Sequence, residues 1–103
     1  MLIDARHSPF ARDEEKILAE CQRLQRLAQA YIEQCGDRIS KGMRPRVERL
    51  LGLIATEVAK PDRQVRVVEA TVHKVVDNIS LFAHPENCDH GVKWFRANVH
   101  STK

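Results

Sequence analysis

Apolar residues recur three and four positions apart along most of this chain of 103 residues, which is the spacing of one face of an α-helix. One stretch carries Phe10, Ile17, Cys21, Leu24, Ala28, Tyr31 and Cys35, and a later one carries Val65, Val68, Val72, Val75, Ile79 and Phe82. Branched residues such as valine favour strands, but the strict alternation of a strand fails where Val67–Val68 and Val75–Val76 are adjacent. The sequence therefore predicts an all-α fold.

Prolines and glycines divide this pattern into helices. Ser8–Pro9 suits a helix start, because serine can cap free amides and proline loses no hydrogen bond at the first helical position. Gly36 suits the end of that helix, Pro45 fits the first turn of the next one, and Lys60–Pro61 closes it. Asp62 is then placed to cap the third helix. We expect a small bundle of three main helices, at about 9–35, 45–60 and 63–83, with the last two packed as a hairpin, and a short C-terminal helix or tail at about 92–100.

Length and composition predict one domain over residues 1–103, with flexible ends at 1–8 and 101–103. A chain of this size can bury about two-thirds of its unfolded surface, which is enough for one hydrophobic core. Hydrophobic residues make up 43% and charged residues 30%, a composition that is too apolar for a disordered chain.

The chain shows no pattern of secretion or of membrane insertion. No apolar run approaches the length of about 20 residues that spans a bilayer, and the N-terminal stretch lacks the apolar centre of a signal peptide. Cys21 and Cys35 lie about 21 Å apart on the first predicted helix, too far for a disulfide, and we expect both to be small buried side chains. An odd total of three cysteines agrees with a reducing compartment, so we expect a cytoplasmic protein without membrane contact.

His84, Cys88 and His90 place three metal-ligating side chains within seven residues. Structural zinc sites usually combine four ligands at paired spacings, and here the fourth would have to come from His100 or a distant residue. We therefore favour a turn with solvated histidines and keep a metal-responsive protein as a third hypothesis. The motifs of phosphate-binding loops, dinucleotide-binding folds, zinc proteases and serine hydrolases do not occur, so we expect neither enzyme activity nor a cofactor.

A concentration of positive charge lies between Asp37 and Arg49. Five cations stand against two acids there, and the resulting net charge of +3 equals that of the whole chain. The five cations are Arg38, Lys41, Arg44, Arg46 and Arg49. Arg44 and Arg46 fall at the start of the second predicted helix, where the helix dipole opposes positive charge and an incoming carboxylate or phosphate would relieve it. This basic segment is the predicted partner-binding site.

Trp94 and Phe95 form a second candidate contact, because large aromatic side chains are common at interfaces, although we favour the interpretation in which they pack the tail across the bundle. The leading hypothesis is a non-enzymatic adaptor, regulator or inhibitor that binds an acidic surface of another protein. The apolar stripes are wide for three helices, which makes a homodimer a further hypothesis. A nucleic-acid-binding regulator that uses the same cations is the alternative, but no aromatic residue interleaves with the arginines.

Overall fold

Helices account for most of the chain, and this confirms the predicted all-α bundle. The computed structural model describes the backbone of residues 9–99 and the side chains of residues 14–99. Within these residues there is no strand. The elements are α1 (Pro9–Cys35), two short 3-10 turns (Gly36–Arg38 and Lys41–Met43), α2 (Arg44–Ala59), α3 (Val65–Ala83) and α4 (His90–Val99).

The first helix has the predicted bounds. Gly36 follows its last residue with φ of 51°, a left-handed conformation that residues with a side chain rarely adopt. The predicted cap Ser8, the predicted flexible ends 1–8 and 101–103, His100 and the side chain of Phe10 lie outside the described residues.

The prediction that Asp62 caps the third helix is wrong. The helix begins at Val65 rather than Arg63, after Gln64 in an extended conformation, and no side chain caps it. The turn is organised by Arg63 instead, whose Nε donates to the carbonyl oxygen of Val58 at 2.6 Å and whose Nη1 lies 3.5 Å from Glu14 Oε1. Through Arg63, these contacts join the end of α2 to α1 just before α3 begins.

The remaining bounds differ from the predicted ones by one or two residues. The second helix begins at Arg44 and ends at Ala59, one residue early at each end, and the C-terminal helix covers His90–Val99. Its first residue is therefore His90, which the sequence analysis places in a turn.

The third helix occupies the centre of the bundle, where it packs against α1, α2 and α4. Its buried side chains are Val68, Val72, Val75, Val76, Ile79, Ser80 and Ala83. The first helix supplies the facing layer of Cys21, Leu24, Ala28, Tyr31 and Cys35, which confirms that its two cysteines are buried. Only Val47 and Ile54 are fully buried on α2, so much of that helix remains at the surface.

Candidate functional site

The basic segment forms part of an open groove at the start of α2. The groove has a volume of about 600 Å³ and is lined by Gly42, Met43, Pro45, Arg46, Arg49, Leu50 and Leu53. Met43 belongs to the second 3-10 turn, whereas the last four of these residues recur three and four positions apart on α2 and so share one face of the helix. The helix begins here because Pro45 fits its first turn, where the missing N–H of proline costs no helical hydrogen bond.

The floor of this groove is aliphatic. Leu53 exposes 47% of its surface, which is high for a large hydrophobic residue. Met43 and Leu50 are half-buried, and their inner sides pack against the core. A partner that covered these side chains would remove apolar surface from water, which is worth about 25 cal/mol per Å².

Cations border the apolar floor, and within residues 14–99 they have no carboxylate counter-ion. Arg46 and Arg49 line the groove itself, and Lys41 and Arg44 lie exposed beside it. None of these four forms an ion pair with a carboxylate among the described side chains. The first turn of α2 contains no acidic residue and has no side-chain cap, so the positive end of the helix dipole adds to their charge.

Arg38 is placed differently from the other predicted cations. Its Nη1 lies 3.2 Å from Oε2 of Glu86, in an exposed pair that joins the first 3-10 turn to the connection between α3 and α4. Arg38 does not line the groove. The structure thus brings together Arg46 and Arg49, with Lys41 and Arg44 beside them, and separates Arg38 from this set.

Trp94 and Phe95 lie on α4, which packs against α3 and α1 rather than beside the groove. Phe95 is 5% exposed, and its ring stacks on His73 with the centroids 4.9 Å apart. Trp94 is half-buried, and its Nε1 donates to Oε1 of Gln34 at 2.9 Å. The two aromatic residues therefore pack α4 against the bundle, and Phe95 is part of the hydrophobic core.

The suggested metal ligands do not converge. Cys88 is exposed and its Sγ faces Asp89, whereas the rings of His84 and His90 stack with their centroids 3.7 Å apart. Among residues 14–99, no group of three or more histidine, cysteine, aspartate or glutamate side chains is arranged to hold a metal ion. The expectation of solvated histidines is wrong for His84, which is 8% exposed, because α1 covers this end of α3.

Two residues of α1 complete a polar cluster that the sequence did not reveal. The hydroxyl of Tyr31 and Nδ1 of His90 share a hydrogen bond of 2.9 Å, and Sγ of Cys35 lies 3.7 Å from Nε2 of His84. We call these four residues the histidine cluster. The sequence could have indicated this cluster through Tyr31 and Cys35, which place polar atoms on a largely apolar face of α1. Buried polar atoms need hydrogen-bond partners, so partners for these two side chains were to be expected.

Within the histidine cluster, burial favours the uncharged forms of Tyr31, Cys35 and His84. Burial raises the pKa of Tyr31 to about 12 and also raises the pKa of the Cys35 thiol. The pKa of His84 is lowered, mainly by burial and to a smaller extent by the neighbouring His90. A nucleophilic cysteine needs the opposite arrangement, in which a thiolate faces a protonated imidazole. The contacts of this cluster join α4 and the end of α3 to α1.

The groove thus combines exposed apolar surface with cations that have no counter-ion among the side chains of residues 14–99. Among the helices in residues 9–99, none has both the length and the apolar composition that crossing a bilayer requires. No protein-family model, curated protein or solved structure matches this chain.

Proposed function

We propose that this chain is a non-enzymatic protein-binding module, an adaptor, regulator or inhibitor that occupies an acidic surface of a partner protein. The observation that supports this proposal is the groove on α2, where aliphatic side chains lie at the surface between cations that have no described counter-ion. In protein interfaces, a few desolvated anchors supply most of the affinity, while complementary charges speed the encounter and set its orientation. Leu53 is the proposed anchor, and Arg46 and Arg49 are the proposed orienting charges.

A nucleic-acid-binding regulator is the alternative use of the same cations. Phosphate backbones are bound through cations, and single strands also stack their bases on aromatic side chains. The floor of this groove is aliphatic and holds no aromatic residue. An apolar floor favours a partner with apolar side chains of its own, so we prefer a protein.

Charge reversal tests the proposal. The variant Arg46→Glu/Arg49→Glu changes two groove cations, and the matched control Arg26→Glu/Arg66→Glu changes two exposed arginines on α1 and α3 by the same total charge. Each immobilised protein is used to capture proteins from an extract of the native host, and the captured proteins are identified by mass spectrometry. We expect a partner that the wild type and the control retain and that the groove variant loses.

Binding to nucleic acid is measured on the same proteins. We expect no binding of random duplex or single-stranded nucleic acid below about 10 μM at physiological salt, where nonspecific binders have dissociation constants of about 10⁻⁴ to 10⁻⁶ M. Submicromolar binding that the groove variant loses and the control retains would contradict the protein proposal and establish the alternative.

A further inference from the structure

We infer that the element of the partner that enters the groove is an acidic amphipathic α-helix, an inference that rests on the proposed function. Farther along α2 lies a second, smaller depression of about 250 Å³, lined by Leu53, Thr56, Glu57, Thr71 and Lys74. Leu53 belongs to both depressions, and we call the two together the trough. From Met43 to Glu57 the trough follows α2 for about 21 Å, the length of about four helical turns.

The elements and side chains around the trough argue against two other common ways of binding a peptide. An extended peptide adds to an exposed sheet edge, and residues 9–99 contain no strand. A polyproline segment docks between aromatic side chains, and none lines the trough. A helix binds by laying an apolar stripe into an apolar groove, which is what Met43, Leu50 and Leu53 provide.

The charges around the trough determine which residues are favoured beside the apolar stripe of that helix. Arg46 and Arg49 line one end and the exposed Lys74 lines the other. Glu57 is the carboxylate that lines the trough, and Nζ of Lys60 lies 2.9 Å from its Oε2, so its charge is already offset. A helix with aspartate or glutamate beside its apolar stripe would therefore be attracted, and one with lysine there would be repelled.

The experiment uses the full chain and a fluorescein-labelled peptide of about 16 residues, long enough to span the trough as a helix. The peptide carries leucines at positions i, i+3, i+4 and i+7 with glutamates on both sides of that stripe. One control has the same composition in scrambled order, and another has lysine in place of glutamate. Fluorescence anisotropy measures affinity, and backbone amide shifts in NMR spectra locate the binding site.

We expect the acidic amphipathic peptide to bind at least ten times more tightly than either control peptide and to shift amide signals along α2. Leu53→Asp should weaken this binding at least ten-fold. It replaces an apolar contact at the centre of the trough by a carboxylate, which has the same charge as the glutamates of the peptide. Leu81→Asp is the matched control, since Leu81 is 57% exposed and lies outside the trough. It should leave binding unchanged, and circular dichroism verifies that both variants fold.

Equal binding of the ordered and scrambled peptides, an equal effect of the two leucine variants, or no binding up to about 1 mM overturns the inference. If the peptide fails while capture from the host extract still requires Arg46 and Arg49, the proposed function stands and the helical occupant is wrong. If the peptide fails and capture does not require Arg46 and Arg49 either, both are overturned. A dimer in solution that Leu53→Asp converts to a monomer shows that a second copy fills the trough, and this also overturns the inference.

Discussion

Replacing Gly91 by alanine should loosen the packing of α4 on α3. Gly91 is buried, and its backbone N–H donates to Oγ of Ser80 at 3.0 Å. An added Cβ would lie 2.8 Å from the carbonyl oxygen of Val76 and 2.9 Å from Cβ of Ser80. Neither atom is the end of a flexible side chain, so the two helices must move apart to admit the methyl group.

The expected loss combines three contributions. Overpacking of a well-packed site typically destabilises by about 1–3 kcal/mol. Separation of the helices also weakens the hydrogen bond from Gly91 to Ser80, which contributes about 1 kcal/mol. The higher helix propensity of alanine offsets this loss by up to about 1 kcal/mol of unfolding free energy. We therefore expect the free energy of unfolding to fall by about 1–3 kcal/mol, which lowers Tm by about 4 °C or more.

Urea unfolding followed by far-ultraviolet circular dichroism measures this change. Gly52→Ala is the matched control, because a Cβ at this α2 position would have no heavy atom within 4 Å. The control should be stabilised by about 0.5–1 kcal/mol through helix propensity alone. If Gly91→Ala is as stable as the wild type or more stable, the close approach of α4 to α3 is wrong.

Further predictions concern the histidine cluster and the cysteines. Because burial, the neighbouring His90 and Arg38 lower the pKa of His84 below its ordinary 6.5, the unfolded chain takes up this proton at a higher pH than the folded chain. The contribution of His84 to the free energy of unfolding should thus be constant well above pH 6.5 and fall as the pH drops through that value. Urea unfolding measures this free energy for the wild type and for His84→Gln, and the two values should converge on acidification. A difference between them that stays constant with pH would contradict the lowered pKa of His84. Tyr31→Phe removes the hydroxyl bonded to His90 and should lower stability by about 0.5–1.5 kcal/mol in the same assay, whereas no change would show that the bond is not formed. A thiol reagent should modify the exposed Cys88 in the folded protein and the two buried cysteines only on unfolding, and rapid reaction of all three thiols would contradict the core.

The helices could be predicted from sequence because their signals are local. Gly36 ends α1 where the apolar period stops, and the valine period of α3 survives despite the strand preference of valine. The start of α3 could not be predicted in this way, since Asp62 is as good a local cap as many that proteins use. Arg63, which lies just before the actual start, contacts Val58 of α2 and Glu14 of α1.

The candidate site was predictable only in part. Clustered cations can be read directly from a sequence, but the exposure of Leu53 cannot, because it depends on which sides of α2 the other helices cover. The histidine cluster joins residues 59 and 49 positions apart, in the pairs of Tyr31 with His90 and Cys35 with His84. No local pattern encodes such pairs, and for the same reason the burial of His84 was not foreseen.

The central claim is that apolar contact and positive charge act together in the groove on α2, and capture of a host partner at increasing salt tests it most directly. Three proteins are compared, the wild type, Arg46→Glu/Arg49→Glu and Leu53→Asp. We predict that capture by the wild type survives moderate salt and that each variant loses it, because desolvated apolar anchors are little affected by ionic screening. Capture that disappears as salt rises and that Leu53→Asp leaves intact would show that the cations bind alone, and it would contradict the claim.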